Sequence, residues 1–124
     1  MASAKEKLVT TLKSNAEVKA LLGGPNVFYE YPDQTVDTSK LNAWVIYYET
    51  DNRPEYADGR EYFVEAVYQV DVISRKSTTA IAAVVVKALT DADFERQLST
   101  DTVEDDGDQV LYVKSMQFRI MMEV

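Results

Sequence analysis

The sequence predicts an α+β fold: a mainly antiparallel sheet of about four strands with helices packed on one face, in the order α-α-β-β-β-α-β. Three observations carry this. Residues Glu61–Ile73 alternate in polarity, as a strand with two unlike faces does. Ile81, Val84, Val85, Ala88 and Leu89 fall at the i, i+3, i+4, i+7, i+8 spacing of one buried helical stripe. The strands group around this one helical crossover rather than alternating with helices, which is the α+β pattern.

The N-terminal region reads as two short helices or one kinked helix. Ser3 and Glu6 form a possible capping box, and Ser14 and Glu17 repeat it. Leu8, Val9 and Leu12, then Val18, Leu21 and Leu22, supply apolar stripes, and Gly23-Gly24 ends the helix. Val27 to Tyr31 is a short β-prone run closed by Pro32, and Asp33 to Lys40 reads as a polar loop. Asn42–Asp51 is rich in aromatic and β-branched residues, with apolar side chains on both faces, so it is a central strand or an edge covered by a partner.

Asp51 to Arg60 reads as a charged turn, joining two strands through a loop of about nine residues. The strand that follows would span about 40 Å, long enough for an arm that leaves the body of the domain. Tyr62, Val64, Ala66, Tyr68, Val70 and Val72 form its core face. Ser77 or Thr78 caps the next helix, and Ala82, Ala83 and Val86 widen its stripe. Thr90 to Ser99 reads as a frayed helix end and a turn, and Asp101–Asp108 as an acidic loop. The last strand, Gln109–Val124, places Met116, Phe118, Ile120, Met122 and Val124 on one face.

Composition bounds the function. At 124 residues one domain, 1–124, is expected. Cysteine and histidine are both absent, which removes the usual nucleophile–histidine systems and thiolate or imidazole zinc sites. The formal net charge is −8, the wrong sign for a protein that grips phosphate. No apolar run approaches the length of a membrane helix.

The acidic run Asp101, Glu104, Asp105, Asp106, Asp108 fails as a calcium loop. Aligning Gly107 with the obligatory glycine puts Thr102 first and Val113 where the bidentate glutamate belongs. No spacing singles out a catalytic carboxylate pair, and the glycines lack a phosphate-loop motif. The expectation is therefore no enzyme, no cofactor and no metal. The eight tyrosines serve either sheet packing or protein contact. Phe63 and Val67 interrupt the otherwise polar face of the long strand and point to a subunit contact, together with Val45 and Tyr47 of the two-sided strand.

The layout as a whole resembles the tail completion, or tail terminator, proteins of long-tailed phages and prophages. The likeness lies in the order of parts: LKSNAEVKALLGG, VFYEYP, the WVIYYE strand, YQVDVISRKSTTAIAAVVVKAL and the closing MQFRIMMEV. The resemblance implies a non-enzymatic virion protein, assembled in the bacterial host cytoplasm. It would form a ring, commonly hexameric, that caps the head-proximal end of the tail tube and joins tail to head. Its partners would be copies of itself, the tail-tube protein and a head-completion or connector protein, with DNA passing through unbound. On that reading Asp51, Glu55, Asp58, Asp101, Glu104, Asp105, Asp106 and Asp108 line the lumen or a ring face, where like charge keeps phosphates from sticking. Another neck component or minor capsid protein, or a small cytoplasmic dimeric binding module, are the alternatives.

Overall fold

A computed structural model describes residues 3–31, 37–57, 60–105, 107 and 109–123, and side chains at 3–31, 37–50, 64–105, 107 and 109–122. Helix α1 (Ala4–Ser14) starts where Ser3 Oγ accepts a hydrogen bond from the Glu6 amide at 3.1 Å. The cap of α2 (Ala16–Leu22) is Asn15, whose Oδ1 accepts from the Val18 amide at 3.0 Å. Ser14 was the expected cap, but it is still helical and its hydroxyl donates back to the Thr10 carbonyl at 2.6 Å. Gly23 ends α2 in the left-handed region, at φ 77°.

Among the described residues, five strands form the sheet, in the order β1-β2-β3-β5-β4. Strand β1 (Val27–Tyr29) runs parallel to β2 (Ala43–Ala57), and every other pairing is antiparallel. A 3-10 turn, Thr38–Lys40, precedes β2 within the expected loop. The α+β class and the helices on one face hold. The strand count is corrected from four to five: Glu95–Asp105, expected as helix end, turn and acidic loop, is strand β4.

The β2–β3 connection is also corrected. Strands β2 and β3 (Arg60–Ser74) each have 15 residues and pair from Ala43↔Ser74 to Ala57↔Arg60, so the charged "turn" is mostly strand. At about 3.3 Å per residue each strand spans about 50 Å. Pro54 lies opposite Val64 within the ladder. It is tolerated because β1 accompanies β2 only from Val45 to Tyr47, leaving the outer edge of β2 beyond that point without a neighbouring strand among the described residues. The last β3–β5 pair is Phe63↔Glu123, so among the described residues the end of the hairpin projects past β5 (Val110–Glu123).

The core lies between the helices and one face of β1, β2, β3 and β5. Leu8, Leu12, Val18, Leu22, Val85 and Leu89 meet Val45, Val70, Val72, Met116 and Phe118, all essentially inaccessible. Each contributes about 1.5–3 kcal/mol of burial. Helix α3 (Thr79–Asp91) buries Ile81, Ala82, Val85, Ala88 and Leu89, while Ala83, expected to widen the stripe, faces out. Beyond α3 the chain turns through Asp93, at φ 74°, and the Phe94 amide donates to the Leu89 carbonyl at 2.9 Å, which drops the buried Phe94 ring into the core. Strand β4 adds nothing to the core: all 11 of its residues are exposed.

Candidate assembly surfaces

Among the described residues, no helix covers the second face of the sheet. From β2 it carries Trp44, Ile46 and Tyr48; from β3 Glu65, Val67, Gln69, Asp71 and Ile73; from β5 Val113, Ser115, Gln117, Arg119 and Met121. These sets are fixed by the pairs Trp44↔Ile73, Ile46↔Asp71, Val67↔Arg119 and Glu65↔Met121. At one end the face is already closed, because Arg75 lies over the Trp44 ring at 5.9 Å. Its guanidinium donates to the Leu41 and Thr38 carbonyls at 2.8 Å each, and to Gln109. Trp44 and Ile73 are buried as a result.

The rest of the face is half-buried and mixed. Gln69 Nε2 donates to Asp71 at 3.0 Å. Burial, then the Asp71 carboxylate, raises the pKa of the Tyr48 hydroxyl and so holds it neutral. Arg119 Nη2 is 2.9 Å from Glu95, and its Nη1 is 3.9 Å from Glu65. The bond to Glu95 keeps the guanidinium protonated even beyond its usual range. The exposed apolar residues here are Leu98 and Met121.

Of the four residues expected at a subunit contact, Val67 alone is placed on this open face, half-buried between its neighbours Asp51 and Arg119. Val45 and Tyr47 are corrected: they point the other way, into the core, at 0% and 4% exposure. Helices α1–α3 fill the space a neighbouring subunit would have needed. The side chain of Phe63 lies outside the described residues; its backbone pairs with Glu55 and Glu123, on the open-face side of the ladder.

Tyrosine serves packing first. The Tyr29 and Tyr47 rings are 5.3 Å apart, Lys5 Nζ sits 3.5 Å over Tyr29, and Tyr68 is buried beside them. Burial, reinforced by Glu49 and the two other tyrosines, pushes the Tyr68 hydroxyl to about 12.

The two acidic segments do not form one patch. Asp51 and Glu55 are in β2, towards the projecting end of the hairpin, and their side chains lie outside the described residues, as do Asp58, Asp106 and Asp108. Asp101, Glu104 and Asp105 are in β4, towards the opposite end of the sheet, since Asp101 pairs with Lys114 and Lys114 with Val72. Asp101 is 3.3 Å from Lys114 Nζ, and Asp105 Oδ1 accepts from the Gly107 amide at 2.9 Å. Among the described residues, no group of three or more acidic residues is placed to hold a metal ion, and no helix is long and apolar enough to cross a membrane.

Sequence reasoning missed β4 as a surface. It is the edge of the sheet, exposed on both faces, and its outer backbone groups have no neighbouring strand among the described residues. It also missed Val103, which lies on β4 opposite Tyr112 of β5, one of the eight tyrosines; both are exposed.

The sequence model of the family described as "Tail completion protein gp17" matches residues 6–123. Among solved structures, the fold is similar to that of a chain in "Virion of native gene transfer agent (GTA) particle". The TM-score is 0.61 and the identity 15%, over 94% of this chain and 92% of that one. None of the curated proteins compared matches the sequence.

Proposed function

This chain belongs to the tail completion protein gp17 family and works in phage tail assembly, and we propose that it does so as a ring, hexameric on the family likeness, that caps the head-proximal end of the tail tube and joins tail to head. The observation that carries the proposal is the combination of an uncovered sheet face with a hairpin that projects past β5. A stand-alone monomer has little use for either, whereas a ring needs surfaces on two sides of each subunit.

The proposed role is structural rather than catalytic, in the virion tail or neck, with the tail-tube protein and a head-side connector as partners. The net charge of −8 supports free passage of DNA, because an acidic ring surface repels phosphate. Producing virions without this chain tests the reading: filled heads and separate tails should accumulate, and adding purified protein should join them. Negative-stain images of the assembled chain should show a closed ring. Normal virions without the chain, or a clean two-fold dimer as the sole assembled form, would refute it.

A further inference from the structure

We propose that the β2–β3 arm of one copy docks in a cleft on the next copy, between the start of α3 and the helix-side face of the β4–β5 hairpin. This rests on the ring reading above and names the contact that would build it. The cleft, of about 430 Å³, is walled by Lys76, Ser77 and Thr78 on one side and by β4 and β5 on the other.

Its floor is apolar and open: Val103 is 59% exposed and Tyr112 40%. The two residues face each other across the hairpin on the helix side, just beyond the reach of α3. Its rim is positive in an otherwise acidic chain. Lys76 is exposed and has no ion-pair partner among the described residues. Lys114 is held by Asp101 at 3.3 Å. Thr78 is buried at the N-terminus of α3 and makes no side-chain cap bond, while the Ser77 hydroxyl accepts from the Thr79 amide at 3.2 Å, so the partly capped positive end of this helix faces the cleft.

The segment that fits such a cleft carries carboxylates and aromatic rings together. The arm has that composition, with Tyr56, Glu61 and Tyr62 beside the single cation Arg60 past the last β5 pair, and Glu55 level with that pair. The same sequence thus supplies both halves, which favours a second copy over an unrelated protein. The contact cannot close within one chain. The arm leaves the sheet where β3 begins and the cleft lies where β3 ends, about 50 Å away along the strand. Contact between unlike surfaces at opposite ends of the subunit repeats from copy to copy, the head-to-tail kind of contact from which a ring is built when the rotation per copy closes.

The chain has no cysteine, so introduced thiols report cleanly. Ala57→Cys and Val103→Cys variants, mixed and oxidised with glutathione disulfide, should give a mixed disulfide dimer. The double variant should give a ladder of covalent multimers. Lys76→Glu should lower the assembled fraction by about tenfold in native mass spectra with unchanged circular dichroism. Assembly that persists without the arm–cleft disulfide, and that Lys76→Glu leaves untouched, overturns this inference while the ring reading stands. A chain that stays monomeric at millimolar concentration and gives no cross-link overturns both.

Discussion

Arg119 reaches from β5 to Glu95 on the edge strand at 2.9 Å, on the sheet face that no helix covers. A second carboxylate, Glu65 on β3, stands 3.9 Å from the same guanidinium. One arginine therefore ties the edge strand across β5 to the centre of the sheet. Arg119→Glu should leave the monomer folded, because exposed ion pairs add little to stability. It would set three carboxylates side by side on the open face. If that face meets a neighbour, native mass spectra should show loss of assembly with little change in melting temperature.

Phe63→Glu should weaken oligomer formation and leave the monomer fold intact. Its backbone lies on the open-face side of the ladder, opposite Glu55 and Glu123. An oligomer mass unchanged in light scattering would argue against a contact there.

Phe94→Ala should destabilise the chain by about 3–5 kcal/mol, read from urea denaturation, because the ring is fully enclosed and its loss leaves a cavity. Asn15→Ala should cost about 1 kcal/mol by removing the shared cap between α1 and α2.

Alkaline pH should unfold the protein through its buried phenols. Tyr68 ionises at about 12 in the fold, against an ordinary value of 10. The unfolded chain therefore loses that proton first. The associated stability is complete below pH 10 and is lost as pH rises from there to about 12. Tyr47 and Tyr48 are shifted the same way. Urea midpoints measured across that window should fall more steeply for the native chain than for Tyr68→Phe.

The legible parts of the fold were those with one buried and one wet side. The stripe of α3 and the alternation of β3 and β5 are written in burial, and burial leaves a period in the sequence. Strand β4 has no such period because neither of its faces is buried. Its conformation comes from pairing with β5 over Glu95–Asp105, a relation between distant residues that no local pattern records. The arm was read as a turn for a related reason: Pro54 and the charges of 51–60 look like a break, yet an edge without a neighbouring strand admits both. Phe94 was missed because it follows the helical stripe rather than continuing it, and a non-glycine residue, Asp93, makes the left-handed turn that buries it. For the assembly surfaces, the odd apolar residues of β3 were visible in sequence. That Val45 and Tyr47 belong to the core depended on which side the helices pack, and alternation alone does not say that.

The bare edge of β4 also bears on how the free chain behaves before it meets a partner. A long strand with unpaired amides invites stacking into fibres. This one carries Glu95, Asp101, Glu104 and Asp105 against the single cation Arg96. Glu95 and Asp101 are met by Arg119 and Lys114 of β5, and Glu104 and Asp105 still set like charge against like where two such edges meet. The charge on that edge thus weighs against strand-to-strand stacking of like copies.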